Sequence, residues 1–270
     1  MNHPRSQLLA RAALALRMQQ FAEAEQLASD FLKANRTDIA GVCILARALL
    51  AQNRGGEAIA PLEKAARRES EAEIEMLLGA ALGSAGRRAD AIDQLRRTTS
   101  RHPAFLPAFQ ELAGQLARAG DVDEAIAALE EALERAGGNL DLQLDVARLE
   151  LARNQRSKAR AILNALREAA PGHPGILTEL APAMLLDGEY ADAADLYRNA
   201  LALRPDDALT RADLGACLLE MGEREAGEAT LRSALRGRPH MFGRATYALA
   251  ASSHGRFFFR PSAASKFLQG

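Results

Sequence analysis

The sequence predicts an all-α solenoid of antiparallel helix pairs, and two combs of small residues with a turn signal between them carry that prediction. Ala24, Ala58, Ala91, Ala125, Ala159, Ala193 and Gly227 recur every 33 or 34 residues, the mark of stacked repeats rather than of one globular core. Ala12, Ala46, Gly79, Ala113, Ala147, Ala181 and Gly215 each stand twelve residues before a member of the first comb. Between the two, Gly86, Gly120, Gly188 and Gly222, with Asn53 and Asn154, hold the place where a helix ends in the left-handed conformation. Only Gln19, in the first repeat, is unsuited to that place. Pro103, Pro171, Pro205 and Pro239 follow the later comb by twelve residues, where they end one helix and open the next unit.

Seven units of helix, turn, helix and breaker follow in order. The first, 5–38, opens in a stretch that resembles an export signal, but Arg11 and Arg17 interrupt its apolar run, so it reads as a helix. The second, 39–71, turns at Asn53 and carries Pro61 within its second helix. The third, 72–105, runs Leu78-Gly79, Leu82, Gly86, Ala91, Leu95 and Pro103, and the fourth, 106–139, repeats it as Leu112-Ala113, Leu116, Gly120, Ala125, Leu129 and Ala132. The fifth, 140–173, is as degenerate as the first two. The sixth, 174–207, reads Leu180-Ala181, Met184, Gly188, Ala193, Tyr197, Ala200 and Pro205, with Pro182 inside its first helix. The seventh, 208–241, reads Leu214-Gly215, Leu218, Gly222, Gly227, Leu231, Ala234 and Pro239. The combs let paired helices approach closely, and Leu45, Leu78, Leu112, Val146, Leu180 and Leu214 supply an apolar stripe behind them. Pro61 and Pro182 should each remove a backbone bond and bend their helices. Residues 242–270 close the array, with an opening helix over 242–253 and a short last helix from Arg260-Pro261-Ser262.

These units resemble the tetratricopeptide repeat family, whose signature is W-x2-L-G-x2-Y, then A-x3-F, then P within 34 residues. The resemblance covers about nine tenths of the chain and implies a right-handed superhelix. The chain departs from the signature at its Trp place, which holds Leu8, Val42, Glu75, Phe109, Gln143, Leu177 or Arg211.

Composition and motif searches exclude most chemistry. A formal charge of -1 gives no bias toward nucleic acid or a membrane surface, and no apolar run approaches the roughly 20 residues of a spanning helix. A cytoplasmic location is the expectation. Thirty arginines against four lysines, with abundant Ala, suggest a GC-rich bacterial genome. Cys43 and Cys217 lie in apolar helical segments and read as packing residues. Of the five histidines, His3, His102, His173, His240 and His254, the middle three fall in breaker segments and read as solvated loop residues rather than ligands. No metal, phosphate-loop, nucleophile-elbow or paired-carboxylate constellation is present, so neither a cofactor nor catalysis is expected.

Partner binding is what remains. The resemblance implies that first helices line a concave groove for an extended or helical peptide. It places Arg17, Arg47, Glu73, Met76, Gln110, Arg118, Asp141, Leu144, Arg148, Thr178, Leu185, Leu219 and Glu220 on or beside that groove. The family's carboxylate clamp needs lysines that these first helices lack, which argues against a chaperone-tail adaptor. Glu111, Asp145, Glu179 and Asp213 recur at 34-residue intervals. Two readings stand for this acidic ladder: solvated charges near favourable helix dipoles, with Arg148 screening Asp145, or a strip that selects basic peptides. After Glu228 no acidic residue follows, while Arg232, Arg236, Arg238, Arg244, Arg256, Arg260 and Lys266 do. Phe257, Phe258 and Phe259, with Phe267 and Leu268, either cap the last repeat or dock a partner. The expected function is a non-catalytic protein-interaction scaffold that does not bind nucleic acid. The alternative is a repeat region accessory to a transferase or hydroxylase domain encoded elsewhere.

Overall fold

The computed structural model describes residues 3–258 and 260–269, with side chains from Gln7 onward, and all regular elements among them are helical. The chain divides into two compact units, Met1–Leu149 and Glu150–Gly270. The first contains α1 (His3–Arg17), α2 (Phe21–Ala34), α3 (Ile39–Ala51), α4 (Gly55–Ala66), α5 (Ala72–Ser84), α6 (Arg88–Arg101), α7 (Leu106–Ala119), α8 (Val122–Ala136) and most of α9 (Leu140–Ala152). The second continues with α10 (Arg156–Ala169), α11 (Pro174–Leu186), α12 (Tyr190–Leu203), α13 (Ala208–Glu220) and α14 (Arg224–Leu235). A 3-10 turn, Pro239–Met241, then leads into α15 (Phe242–Ala251) and α16 (Pro261–Gln269).

Helices pair as the combs predict, because the comb residues are what lets them meet. In the first unit α1 packs on α2, α3 on α4, α5 on α6 and α7 on α8; in the second, α11 packs on α12 and α13 on α14. Every comb alanine is at most 4% exposed. At Gly227 an added Cβ would stand 2.9 Å from the Gly215 carbonyl oxygen, so backbone meets backbone where the two combs touch.

The turn between paired helices is one motif used throughout. Gln19, Asn53, Gly86, Gly120, Asn154, Gly188 and Gly222 all have positive φ. The next amide then donates back across the turn, as in Gln20 N–H to the Ala15 carbonyl (2.9 Å), Arg54 to Leu49 (2.9 Å), Arg87 to Leu82 (2.9 Å) and Glu223 to Leu218 (2.9 Å), which satisfies a carbonyl that the helix end would otherwise orphan. Gln19 adopts φ 58° despite its side chain. Packing of the pair imposes the turn there, against local preference.

First helices also lie against one another, α1 on α3, α3 on α5 and α5 on α7 in the first unit, and α11 on α13 and α13 on α15 in the second. Second helices α2, α4, α6 and α8 make no comparable contact among the described residues. Each unit therefore has an inner layer of first helices and an outer layer of separated second helices. Helices α4 and α11 continue through Pro61 and Pro182.

The end of the chain breaks the pattern. Helix α16 lies on α14 rather than pairing with α15. It buries Leu268 in a cluster with Leu219, Leu231, Ala234, Met241, Ala245 and Leu249.

Candidate partner-binding surfaces

The inner layer of the first unit carries polar side chains that bridge successive first helices. Arg47 of α3 reaches Glu73 of α5, Nη2 to Oε1 at 2.8 Å. Gln110 of α7 donates to Asp145 of α9 at 2.8 Å, and Arg148 donates to the same carboxylate at 3.0 Å. Glu111 accepts from Gln115 at 2.8 Å and from Arg118 at 3.3 Å. Met76 is half-buried beside the core of α3 to α5, and Asp141 and Arg17 are exposed.

In the second unit Arg244 of α15 grips Asp213 of α13 through Nε (3.1 Å) and Nη2 (2.6 Å). Burial pushes the Asp213 carboxyl above its ordinary value, more than Arg244 pulls it down. Glu220 accepts the Ser253 amide at 3.2 Å. Glu179, Thr178 and Leu185 are half-buried, and the Thr178 hydroxyl is turned back to the Pro174 carbonyl at 3.0 Å.

Two expected groove residues belong instead to the core: Leu144 is 3% exposed and Leu219 is fully buried. Leu219 lies against Gly227 of the paired helix α14, one step around from the inner face. The ladder also differs from a row of free charges. Glu111 and Asp145 sit in the first unit and Glu179 and Asp213 in the second, and Arg118 holds Glu111, Arg148 holds Asp145 and Arg244 holds Asp213. Tyr247 was missed by sequence reasoning, although it lies one more 34-residue step beyond Asp213. It is 73% exposed on α15, one turn from Arg244.

Of the three breaker histidines His240 is exposed as expected, whereas His102 and His173 are less solvated. His102 is half-buried, with Nε2 3.8 Å from Oε2 of Glu75. Glu75, at the signature's Trp place, is 2% exposed and accepts from Ser70 (3.0 Å) and Arg101 (3.1 Å) through Oε1, while Oε2 has no hydrogen-bond partner. His173 likewise buries Nδ1 without a partner. Burial, with Glu73 beside Cys43 and Asp213 beside Cys217, pushes both thiols up to about 12, which leaves them protonated and unreactive. Among the described residues no group of three or more His, Cys, Asp or Glu is placed to hold a metal, and no helix is long and apolar enough to cross a membrane.

The basic, Phe-rich end is built around Glu228. This carboxylate is 6% exposed and meets Arg256 Nε at 2.6 Å, Arg224 Nε at 3.1 Å and Arg232 at 3.6 Å. Burial alone would raise it, but Arg256 and Arg224 outweigh burial and hold it below its ordinary value. Phe267 of α16 lies between two of the same guanidiniums, 4.4 Å from Arg232 and 4.9 Å from Arg256, with the Phe258 ring 5.3 Å away. Phe257 is exposed, and Phe259 lies outside the described residues.

Tetratricopeptide repeat models match residues 76–141, 116–178 and 184–251. No curated protein sequence matches the chain. Among solved structures, a tetratricopeptide repeat protein from Parabacteroides merdae is 14% identical with a TM-score of 0.65, over 90% of this chain and 98% of that one. YrrB, described as having an unusual peptide-binding site, is 18% identical with a TM-score of 0.52, over 70% and 96%. The APC/C hetero-tetramer Cut9-Hcn1 is 18% identical with a TM-score of 0.61, over 97% of this chain and 55% of that one, so the chain spans little more than half of that relative. At these identities the structural likenesses establish the fold, an all-α helical repeat solenoid.

Proposed function

The chain belongs to the tetratricopeptide repeat family, and from that premise we propose that it is a non-catalytic scaffold holding an extended or helical segment of a partner protein on its first-helix layer. One observation supports this best: in each unit the first helices lie side by side, and polar side chains bridge them across an otherwise uncovered face. Arg47 with Glu73, Gln110 with Asp145, and Arg244 with Asp213 are those bridges. Met76, Glu111, Arg118, Asp141 and Arg148 complete the surface of the first unit; in the second, Glu179 and Glu220 do so, and Tyr247 adds an exposed aromatic of the kind that anchors interfaces.

The proposal extends to charge. Basic side chains of the partner would address Glu111 and Asp145 in the first unit and Glu179 and Asp213 in the second. An incoming cation exchanges for an arginine already in place, so selection is modest, about tenfold at low salt. Calorimetry with basic, neutral and acidic peptides of matched length, at two salt concentrations, tests this. The basic peptide should bind best, with an advantage that shrinks as salt rises and falls in the Glu111→Gln/Asp145→Asn variant. Equal, salt-insensitive binding of all three would end the charge selection, and no binding by any would end the groove reading.

A further inference from the structure

Separation of the second helices leaves grooves in the outer layer, and two of them in the first unit occupy the same repeat register, one rimmed by cations alone and the other by charges of both signs. One lies between α2 and α4 over α3, with a volume of about 480 Å3 and an apolar lining that includes Leu32, Leu45 and Pro61. Arg36, Lys64 and Arg68 rim it. The other lies between α6 and α8 over α7, where Arg96, Glu131 and Arg135 stand 67 residues after Ser29, Lys64 and Arg68.

The second groove neutralises itself: Arg96 pairs with Glu124 and Arg135 with Glu131, both at 2.6 Å. In the first, no carboxylate lines the groove. Arg36, Lys64 and Arg68 are exposed, and none makes an ion pair or side-chain hydrogen bond among the described residues. The wall differs too. Pro61 replaces the Ala128 of the second groove, a substitution that costs α4 a backbone hydrogen bond and supplies a rigid apolar ring facing the same volume.

We propose that this outer groove docks an acidic segment of a partner protein, whose apolar side chains enter between Leu32, Leu45 and Pro61 while its carboxylates meet Arg36, Lys64 and Arg68. A volume of about 480 Å3 falls within the roughly 300–1,000 Å3 of typical binding pockets, and three uncompensated cations around an apolar floor complement an acidic amphipathic segment. The site shares no residue with the surface proposed above for the inner face of the first helices.

A fluorescent peptide with leucines four residues apart among glutamates, compared with lysine and glutamine versions, tests it by anisotropy. The glutamate peptide should bind, more weakly as salt rises from about 50 to about 300 mM. Lys64→Glu/Arg68→Glu should cost about tenfold or more in affinity, against less than about twofold for Arg96→Glu/Arg135→Glu at the equivalent groove. Glu111→Gln/Asp145→Asn should leave binding unchanged, which separates this site from the first-helix layer. Equal binding of the lysine peptide, insensitivity to the reversal at Lys64 and Arg68, or no binding by any peptide overturns the proposal. Two controls can also overturn it: preferential binding to phosphatidylserine vesicles assigns the groove to a lipid surface, and self-association abolished by the same reversal assigns it to a second copy of the chain.

Discussion

Glu75 and Glu228 are both nearly inaccessible carboxylates, one in each unit, and they are held in opposite ways. Glu228 meets three guanidiniums. Glu75 meets one, with Ser70 and a distant imidazole, and keeps one oxygen without a hydrogen bond. The difference shows that burial alone does not make a charge structural. At Glu228 the chain has gathered cations from α14 and from the segment before α16, so the carboxylate joins two elements. At Glu75 an aromatic place in the repeat has been filled by an acid, and the neighbourhood answers it incompletely.

Breaking the stronger site should have the largest effect. Glu228→Gln leaves three cations around a neutral side chain; truncating a buried pair costs roughly 3–5 kcal/mol, and because these arginines are a third to a half exposed we expect about 2–3 kcal/mol. Urea denaturation measures the total, and hydrogen exchange should place the loss in α14 and α16. Phe267→Ala removes the ring between Arg232 and Arg256 and should cost about 2 kcal/mol, less than for a fully buried Phe. Exchange protection of α16 should fall while that of α5 and α6 is retained.

Acid provides a smaller perturbation of the same site. The folded Glu228 carboxyl lies below its ordinary 4.5, so the unfolded chain takes up the proton first. Its contribution is fully present well above pH 4.5 and is lost as pH falls through that value toward the folded one. Protection of α16 amides should decline over that range, and in Glu228→Gln this part of the pH dependence should disappear. The smallest effect belongs to Glu75→Leu, which removes a buried charge whose second oxygen is unsatisfied. Replacement of such a group by an apolar side chain should shift stability by about 1 kcal/mol or less, toward stabilisation. A loss comparable to that of Glu228→Gln would erase the distinction between the two sites.

Much of the fold was legible in the residues because the repeat writes short-range sterics into a fixed period. Alanine and glycine at the combs mark helix contacts, and the glycines and asparagines at the turns mark positive φ. Gln19 was not legible as a turn residue, since its conformation comes from the packing of α1 on α2 rather than from its own preference. The ladder was legible as a period, but its ion pairs were not: Arg244 lies 31 residues from Asp213, and its role depends on how α15 meets α13. Leu144 and Leu219 were misplaced because one step around a helix separates the inner face from the core. At the end of the chain the two last helices, the Phe cluster and the shortage of acids were legible, but the pairing of their charges was not. Glu228 is the last of them, yet Arg256, 28 residues later in an irregular segment, could not be paired with it from spacing.

Helix α16 settles on α14, leaving α15 without a second helix of its own. For protein engineering this makes the last four helices one inseparable cassette. A graft that cuts between α14 and α15 would carry Glu228 away from Arg256 and strip Phe267 of its seat, so the junction for any chimera belongs upstream of α13.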